Sequence, residues 1–510
     1  MAESAICQEP DKPFDTRAIT VLVIVSFYVA VIGLGTAYDV LYIQWPKWQK
    51  LNKESKMNGD LVVEANEKSH LIRSTGVDCG VYEPGLLGNI LLSFSVYTNG
   101  AKILNTDQSV ESLAAINGIR FLSMTWVILG HSITFVGTFS DNLKTFYPRM
   151  LKRISFGAIS NALVSVDTFF TLSGILLTYL IMKELKKRER KLNWGMFYFH
   201  RFWRLTPPYM LVLMVYVSLF PYTGSGPLWV KDGLEPNYCK TSWYYNFFYI
   251  NNFVDQPEKW CFEWAWYLAN DMQFFVLSPL IILPLNYSFM AGLCVLLAFL
   301  LGTWTATGVM ATKWDVPMST VHGGTYLKLY KRPYFRMGPY LVGMYTGYLL
   351  YRKKYRLNKF LNLGGWAVAS VVACLVLYGQ YDDINYNRVS TEVASLYNAV
   401  HRTVWGACVS WVVFSCANGY GGFIDTVLSW KGFVPLSRLT YCAYLVHPIV
   451  IYHYQYTRQR LIHYTDIDVI YQFLAILAIS YGVAFVASLS FESPMMALEK
   501  VIFRKQETKK

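Results

Sequence analysis

The chain has 510 residues, of which 54% are apolar and 15% charged, and its 46 Lys and Arg residues outnumber its 33 Asp and Glu residues to give a net charge of +13. Soluble domains carry about 25% charged residues, so this composition, with apolar runs along nearly the whole chain, excludes a disordered protein, a disulfide-stapled secreted module and a nucleic-acid binder. It indicates a multi-pass membrane protein whose surplus basic residues lie in cytosolic loops.

Eleven apolar segments are candidates to cross a membrane, because a helix needs about 20 residues to span the hydrocarbon. The predicted spans, in chain order, are Ala18–Val40, Ala114–Phe139, Ser160–Met182, Pro207–Tyr222, Trp264–Pro284, Ser288–Val309, Tyr334–Tyr351, Gly365–Tyr381, Ser395–Asn418, Leu436–Tyr454 and Val469–Leu489. The fourth is short and opens with Pro207 and Pro208, which suit a first helical turn. The sequence therefore predicts an all-α polytopic bundle of about eleven transmembrane helices.

The charges of the loops predict the orientation of the bundle. The most basic stretches are Lys183–Lys191, Tyr351–Lys359 and the tail that begins at Phe503. With eleven spans and an outside N-terminus, all three lie in the cytosol, and the long loop Thr223–Glu263 lies outside. We therefore expect a short outer N-terminus (1–17), a leading helix (18–40), a cytosolic linker (41–111) and a cytosolic tail (504–510), in the plasma membrane or the endoplasmic reticulum.

Two cysteines lie in the predicted outer loop. Cys239 and Cys261 are 22 residues apart. Because the compartment outside the cytosol is oxidising, we expect a disulfide between them, with two free thiols as the alternative. No spacing of Cys and His is typical of a metal site, so we expect no bound metal.

Four ionisable residues are predicted at membrane depth, where a charge is costly and commonly functional. Arg120 and His131 are eleven residues apart in the second span, which places them on one helix face about 16 Å apart. Asp167 and Asp271 each lie about seven residues from the outer end of a span, at the depth of His131. A carboxylate beside His131 would hold its ring in one tautomer, as a general base requires. The alternative is a structural polar network between helices.

Further polar residues lie near the ends of the fourth and tenth spans. Arg201 and Arg204 are three residues apart before Pro207, and their guanidinium groups would suit the phosphates of a cytosolic donor or serve only as a positive-inside anchor. His447 precedes Pro448, which is typical of a helix kink with a satisfied histidine, and a role in the site is the alternative.

Six segments in a fixed order resemble the acyltransferase 3 family of integral-membrane acyltransferases. They are INGIRFLSMTWVILGH, SVDTFFTLSGILLTYLI, HRFWRLTPPYM, WYLANDMQFFVLSPLI, LSRLTYCAYLVHP and FESP. The resemblance runs from about residue 112 to residue 503 and implies a ten-helix core preceded by the one leading helix. Asp271 stands where the family usually has Glu, which keeps the carboxylate but shortens its reach.

The resemblance implies an enzyme that transfers an acyl group, other than aminoacyl, from a cytosolic acyl-CoA to a hydroxyl-bearing lipid or small molecule. His131 matches the family's candidate base and Arg120 its partner on the same face. Arg201 and Arg204 match the arginines that meet the donor, and Asp167 and Asp271 match acidic positions near the site. The expected partners are therefore membrane lipids, acyl-CoA as co-substrate and an acyl acceptor, and no other cofactor is expected.

Within the family, the chain is most similar to the animal branch called nose resistant to fluoxetine. The shared features are the C-x21-C spacing from Cys239 to Cys261, the intervening WYYNFFYINNF and the extra leading helix. Members of that branch usually carry a cysteine-containing domain before the first helix, so this chain resembles a shortened form. The branch is linked by name to uptake, so a transporter for lipids or xenobiotics is the alternative function, and a non-catalytic scaffold is a third.

Overall fold

The computed structural model describes residues 13–58, 84–108, 113–135, 139–188, 192–230, 233, 235–319, 329–352, 355–386 and 388–503. The predicted outer N-terminus up to residue 12, the linker residues 59–83 and the tail 504–510 lie outside the described residues. In the described ranges the secondary structure is helical, apart from an isolated bridge between Ser140 and Ile462. The predicted all-α class is therefore confirmed.

The first four helices precede the main bundle. They are α1 (Thr16–Tyr38), α2 (Trp45–Asn58), α3 (Leu86–Ser93) and α4 (Val96–Leu104). A short π-helical stretch, Asp39–Gln44, joins α1 to α2 without a break. The predicted linker 41–111 therefore contains helices, of which α3 and α4 pack against α1.

The next nine helices form the first part of the bundle. They are α5 (Ala115–Thr134), α6 (Leu143–Leu151), α7 (Gly157–Ser160), α8 (Val164–Lys187), α9 (Trp194–Leu219), α10 (Pro236–Phe247), α11 (Trp266–Leu277), α12 (Pro279–Tyr287) and α13 (Phe289–Lys313). The α10 helix lies in the loop predicted to face outside, and α11 continues almost directly into α12 at Ser278.

The last eight helices complete the bundle. They are α14 (Met337–Arg352), α15 (Lys359–Tyr378), α16 (Tyr381–Asn385), α17 (Thr391–Ala417), α18 (Gly422–Leu428), α19 (Phe433–Tyr456), α20 (Asp466–Ala487) and α21 (Ser493–Phe503). A second π-helical stretch, Ser488–Glu492, joins α20 to α21.

By length and apolarity, eight helices of the described residues are candidates to cross a membrane, or nine if the bent pair α17 and α18 counts as one span. A multi-pass membrane protein is therefore confirmed. Each of the eleven predicted spans coincides with a helix or with the α11–α12 pair, and the count of eleven stays a prediction. The α5 helix has 20 residues but is not apolar enough to count among the eight candidates, and α14 has only 16 residues.

The fourth predicted span begins earlier than expected. Pro207 and Pro208 lie inside α9, which starts at Trp194, where the Asn193 side chain accepts a hydrogen bond from the Met196 backbone N–H. Placing the prolines in the first turn was therefore wrong. As a consequence, Arg201 and Arg204 lie within a membrane helix rather than in a loop before it.

The α8 and α14 helices pack closely through glycines. A Cβ atom on Gly174 would lie 2.3 Å from the Tyr340 backbone oxygen, and one on Gly343 would lie 2.2 Å from the Thr171 oxygen. Gly347, one turn further along α14, faces the Ile175 backbone oxygen in the same way. Small residues of this kind let membrane helices approach until their backbones touch, and this contact places α8 beside the start of α14.

Candidate functional site

A large cavity of about 1240 Å³ lies between α5, α8, α9, α11 and α19. At one end it is lined by Lys47 and Lys500, and we call this the basic end. At the other it is lined by Glu263 and Lys331, and we call this the loop end because Glu263 follows the disulfide-containing loop. Arg120 and His131 both line it, in line with their predicted common face.

The imidazole rings of His131 and His447 are hydrogen-bonded to each other. His131 Nδ1 lies 2.8 Å from His447 Nε2, and the two ring planes are within 4° of parallel. His447 is fully buried in α19, whereas His131 faces the cavity. Sequence reasoning left the role of His447 open, and the structure places it directly behind His131.

The hydrogen bonds of His447 determine which nitrogens carry protons. Its Nδ1 lies 2.9 Å from the Tyr444 carbonyl oxygen and 3.0 Å from that of Ala443. Carbonyl oxygens only accept, so His447 Nδ1 donates, and in the neutral ring its Nε2 must accept. His131 Nδ1 therefore donates to His447, which leaves His131 Nε2 without a proton. An unprotonated imidazole nitrogen beside a cavity is the arrangement that a general base needs.

The predicted carboxylate partners of His131 are engaged elsewhere. Asp167 is fully buried and accepts hydrogen bonds from Arg336 Nη1, at 2.7 Å and 2.8 Å to its two oxygens. Asp271 lines the cavity but accepts a hydrogen bond from Ser173 at 2.7 Å. The expectation that a carboxylate holds the tautomer of His131 is therefore wrong, since a second histidine does so.

The three predicted arginines divide into two groups. Arg201 forms an ion pair with Asp271 and stacks over the Phe275 ring at 4.4 Å, and it is not among the described residues that line the cavity. Arg120 and Arg204 do line it, and within the described part of the chain neither makes a hydrogen bond or ion pair. Asp271 and Glu492 also line the cavity, but neither forms an ion pair with Arg120 or Arg204 in the described residues. Both guanidinium groups can therefore still meet an anion.

Aromatic side chains dominate the loop end of the cavity. They are Phe135, Phe169, Trp264, Trp266, Tyr267, Tyr330, Tyr444 and Tyr452. Hydrogen bonds hold two of these side chains in place. Trp264 Nε1 donates to the Leu445 carbonyl oxygen at 3.2 Å, and the Tyr444 hydroxyl donates to the Trp264 carbonyl oxygen. This end therefore has a fixed, largely apolar lining a short distance from His131.

The loop that closes this end contains the Cys239–Cys261 disulfide. The next residue, Phe262, is buried in a left-handed conformation with a φ of 55°, which is unusual for a bulky side chain. Glu235 supports it, because its carboxylate accepts hydrogen bonds from the backbone N–H of Phe262 at 2.6 Å and of Glu263 at 3.2 Å. The predicted disulfide thus joins the two segments that Glu235 also bridges.

Burial raises the pKa of Glu235 to about 7, and the nearby Glu263 adds to this, while the two backbone N–H donors and Lys331 act in the opposite direction. A carboxyl whose folded pKa is raised stabilises the fold below its unfolded pKa, and this contribution is lost as the pH rises through about 7.

We therefore expect Glu235→Gln, which stays neutral, to change the pH dependence of stability. Between about pH 4.5 and pH 7.5, the wild type loses up to roughly 3 kcal/mol relative to the variant. The measurement is the thermal unfolding temperature of both proteins in detergent across that range. A difference between the two proteins that does not change with pH would contradict the assignment.

Sequence reasoning missed two residues that order the site. Arg336 is fully buried against Asp167 and the Tyr330 ring, and an arginine inside a predicted span was the available signal. Glu492 lines the cavity near the basic end and accepts hydrogen bonds from Ser488 and Cys442. It lies in the FESP segment, where the glutamate was not singled out.

The chain is similar to known proteins over most of its length. Residues 113–489 match a family described as an acyltransferase domain. The chain is 32% identical over 450 residues to nose resistant to fluoxetine protein 6 of Caenorhabditis elegans, covering 82% of this chain and 54% of that protein. It therefore spans about half the length of that relative.

Two further relatives are more distant or shorter in overlap. Regulator of hypoxia-inducible factor 1 of Caenorhabditis elegans is 24% identical over 392 residues, covering 69% of this chain and 73% of that protein. O-acetyltransferase OatA of Staphylococcus aureus is 31% identical over 137 residues, covering 26% of this chain and 22% of that protein. No solved structure matches the chain.

Proposed function

Because the chain belongs to the acyltransferase domain family, we propose that it is an integral-membrane acyltransferase that moves an acyl group from acyl-CoA to a hydroxyl-bearing acceptor. His131 acts as the general base. The observation that carries this proposal is the free Nε2 of His131 beside the cavity, which follows from the hydrogen bonds of His447. The similarity to an O-acetyltransferase supports the reaction class.

The reaction is written for the acceptor hydroxyl and the donor thioester. His131 Nε2 takes the hydroxyl proton while the hydroxyl oxygen forms a bond to the thioester carbonyl carbon. The carbon–sulfur bond breaks, and the proton passes from His131 to the leaving thiolate. During the step, the imidazolium of His131 keeps its Nδ1–H bonded to His447 Nε2, so the ring does not turn away from the acceptor.

The donor enters from the basic end of the cavity, which faces the cytosol if the loop charges predict the orientation correctly. Arg120 and Arg204 meet its phosphates, since both line the cavity and neither makes a hydrogen bond or ion pair within the described residues. Arg120 lies eleven residues, or about 16 Å, from His131 along α5. A donor with a long flexible arm between its phosphates and its thioester would cover that distance, and the acceptor enters from the aromatic loop end.

The role of His447 supplies the test of this proposal. We expect His447→Phe to lower the turnover of acyl transfer on the order of tenfold, because losing a hydrogen bond worth about 1 kcal/mol frees the His131 ring to adopt the wrong tautomer. The assay follows a labelled acetyl group from acetyl-CoA to acceptor lipids with the purified protein in nanodiscs.

A matched control lies on the same helix. His453 is six residues from His447 in α19, and its ring bonds to the Thr223 carbonyl oxygen rather than lining the cavity. His453→Phe should transfer acyl groups at the wild-type rate. Equal rates for His447→Phe and the wild type would exclude the proposed pairing from the mechanism.

The size of the cavity, about 1240 Å³, and its largely aromatic lining at the loop end also favour a second candidate, an uptake protein for lipids or xenobiotics. Flux into proteoliposomes separates the two functions. A transporter moves its substrate without acyl-CoA and stays active when His131 is replaced. An acyltransferase changes its acceptor only when the donor is present.

A further inference from the structure

Three lysines at the basic end of the cavity come from parts of the chain outside the family match of residues 113–489. They are Lys47 in α2, Lys102 in α4 and Lys500 in α21. All three line the cavity together with Arg204. The family domain therefore does not build this end of the cavity alone.

The three ammonium groups line the same cavity, and Lys102 lies close enough to Lys500 for their charges to interact. Within the described residues, none of Lys47, Lys102 and Lys500 donates a hydrogen bond or forms an ion pair. Partial burial and the nearby Lys500 lower the pKa of Lys102, and the nearby Asp39 opposes this, as expected where two cations and a carboxylate lie close together.

The carboxylates at this end are occupied in packing. Asp39 accepts hydrogen bonds from Ser95, Thr98 and Gln44. Glu492 accepts from Ser488 and Cys442. The third, Glu499, is paired with His200. Asp39 and Glu492 keep their charges, but the five cations Lys47, Lys102, Lys500, Arg204 and Arg438 outnumber the three carboxylates that line this end. A surplus of positive charge therefore remains for a ligand.

The α4 helix, which carries Lys102, is held in a fixed position. Asp39 accepts from Ser95 and Thr98, which lie at the start of α4. At its end, Arg438 Nη1 donates to the carbonyl oxygens of Lys102 at 2.6 Å and Ile103 at 3.0 Å. Anchoring at both ends places Lys102 at the cavity before any ligand arrives, which reduces the entropy lost on binding.

We propose that Lys47, Lys102 and Lys500 form a phosphate subsite that binds the ribose 3′-phosphate of a coenzyme A donor. This inference rests on the proposed function and adds to it the choice of donor. A phosphomonoester carries about −1.5 to −2 charges at neutral pH. Three lysines suit a group of this charge, and Arg120 and Arg204 remain to meet the diphosphate.

The subsite predicts discrimination between coenzyme A and dephospho-coenzyme A, which differ only by the 3′-phosphate. We expect the wild type, in phosphatidylcholine nanodiscs, to bind coenzyme A roughly tenfold to a hundredfold more tightly, since bonds between charged groups are worth about 1.5–3 kcal/mol. The triple variant K47Q/K102Q/K500Q should lose this preference and still bind dephospho-coenzyme A as the wild type does. The measurement is displacement of labelled coenzyme A.

A control variant makes the same change in net charge outside the cavity, on the side of the bundle predicted to be cytosolic. The three lysines chosen lie at or next to helix ends and do not line the cavity. They are Lys187, Lys359 and Lys431. K187Q/K359Q/K431Q should keep the wild-type preference. If it loses the preference to the same extent, or if K47Q/K102Q/K500Q keeps it, the subsite is refuted.

Two further outcomes distinguish the subsite from a lipid-binding surface and from a site for a different acyl donor. If the two nucleotides bind equally, and more phosphatidylserine is retained by the wild type than by K47Q/K102Q/K500Q, the lysines are assigned to anionic lipid headgroups and the proposal is overturned. Neither nucleotide carries an acyl group, so its binding to the wild type and to the variants is measured without turnover. Equal binding of the two nucleotides then refutes the subsite alone, whereas no binding of either refutes the coenzyme A donor as well.

Discussion

His131→Ala is expected to lower the rate of acyl transfer by about 10²–10⁴-fold, the range for loss of a general base. The substitution removes the ring nitrogen that the hydrogen bonds leave unprotonated at the cavity wall, and its partner cannot replace it, because His447 lies behind His131 and is fully buried. Binding of the donor should change little, since Arg120 and Arg204 remain in place. Turnover and donor affinity are therefore measured separately.

His463→Ala is the control for this experiment. The His463 ring is exposed and pairs with Asp141, so its loss should leave turnover unchanged. If H131A protein transferred acyl groups as fast as the wild type, the enzymatic mechanism would have to be abandoned. Full activity of the control with loss in H131A would assign the effect to the imidazole in the cavity.

Asp167→Ala is expected to destabilise the fold by about 3–5 kcal/mol, the usual cost of breaking a buried ion pair. The guanidinium of Arg336 is 0% exposed, and without Asp167 it would keep its charge in a place that water does not reach. The measurement is the temperature at which the detergent-solubilised protein loses its monodisperse elution peak.

The double variant Asp167→Leu/Arg336→Met tests the physical reason. Replacing both charges by apolar side chains of similar volume should restore much of the lost stability, since the buried charge of Arg336 is removed together with Asp167. If the double variant were as unstable as Asp167→Ala, the cost would have to come from lost packing. Wild-type stability of Asp167→Ala would contradict the pairing itself.

Much of the fold was predictable from sequence because apolar length is a local property. Each predicted span coincides with a helix or with the α11–α12 pair, as hydrocarbon thickness requires. Local signals failed at the start of α9, where two possible helix starts compete. Pro207 and Pro208 indicated a helix start, yet the capping side chain of Asn193 begins α9 a dozen residues earlier.

The depth of the site residues in the membrane was predictable from sequence, but the direction in which their side chains point was not. Counting residues from a helix end gives the height of a side chain in the membrane, and Asp167, Asp271 and His131 were placed on that basis. It does not give the direction in which each side chain points around its helix axis. Asp167 therefore has the partner Arg336, 169 residues away in the chain, and His131 has His447, 316 residues away. Such pairings depend on how helices pack and leave no periodic signal.

The histidine pair and the lysines of the basic end come from different parts of the chain. The histidine pair belongs to the part of the chain that matches the family, whereas Lys47, Lys102 and Lys500 lie in its flanks. If the lysines select the donor as proposed, the residues that choose the donor and the residues that perform the transfer lie in different parts of the chain. Substitutions in the flanks would then alter donor selectivity while leaving the transfer step intact.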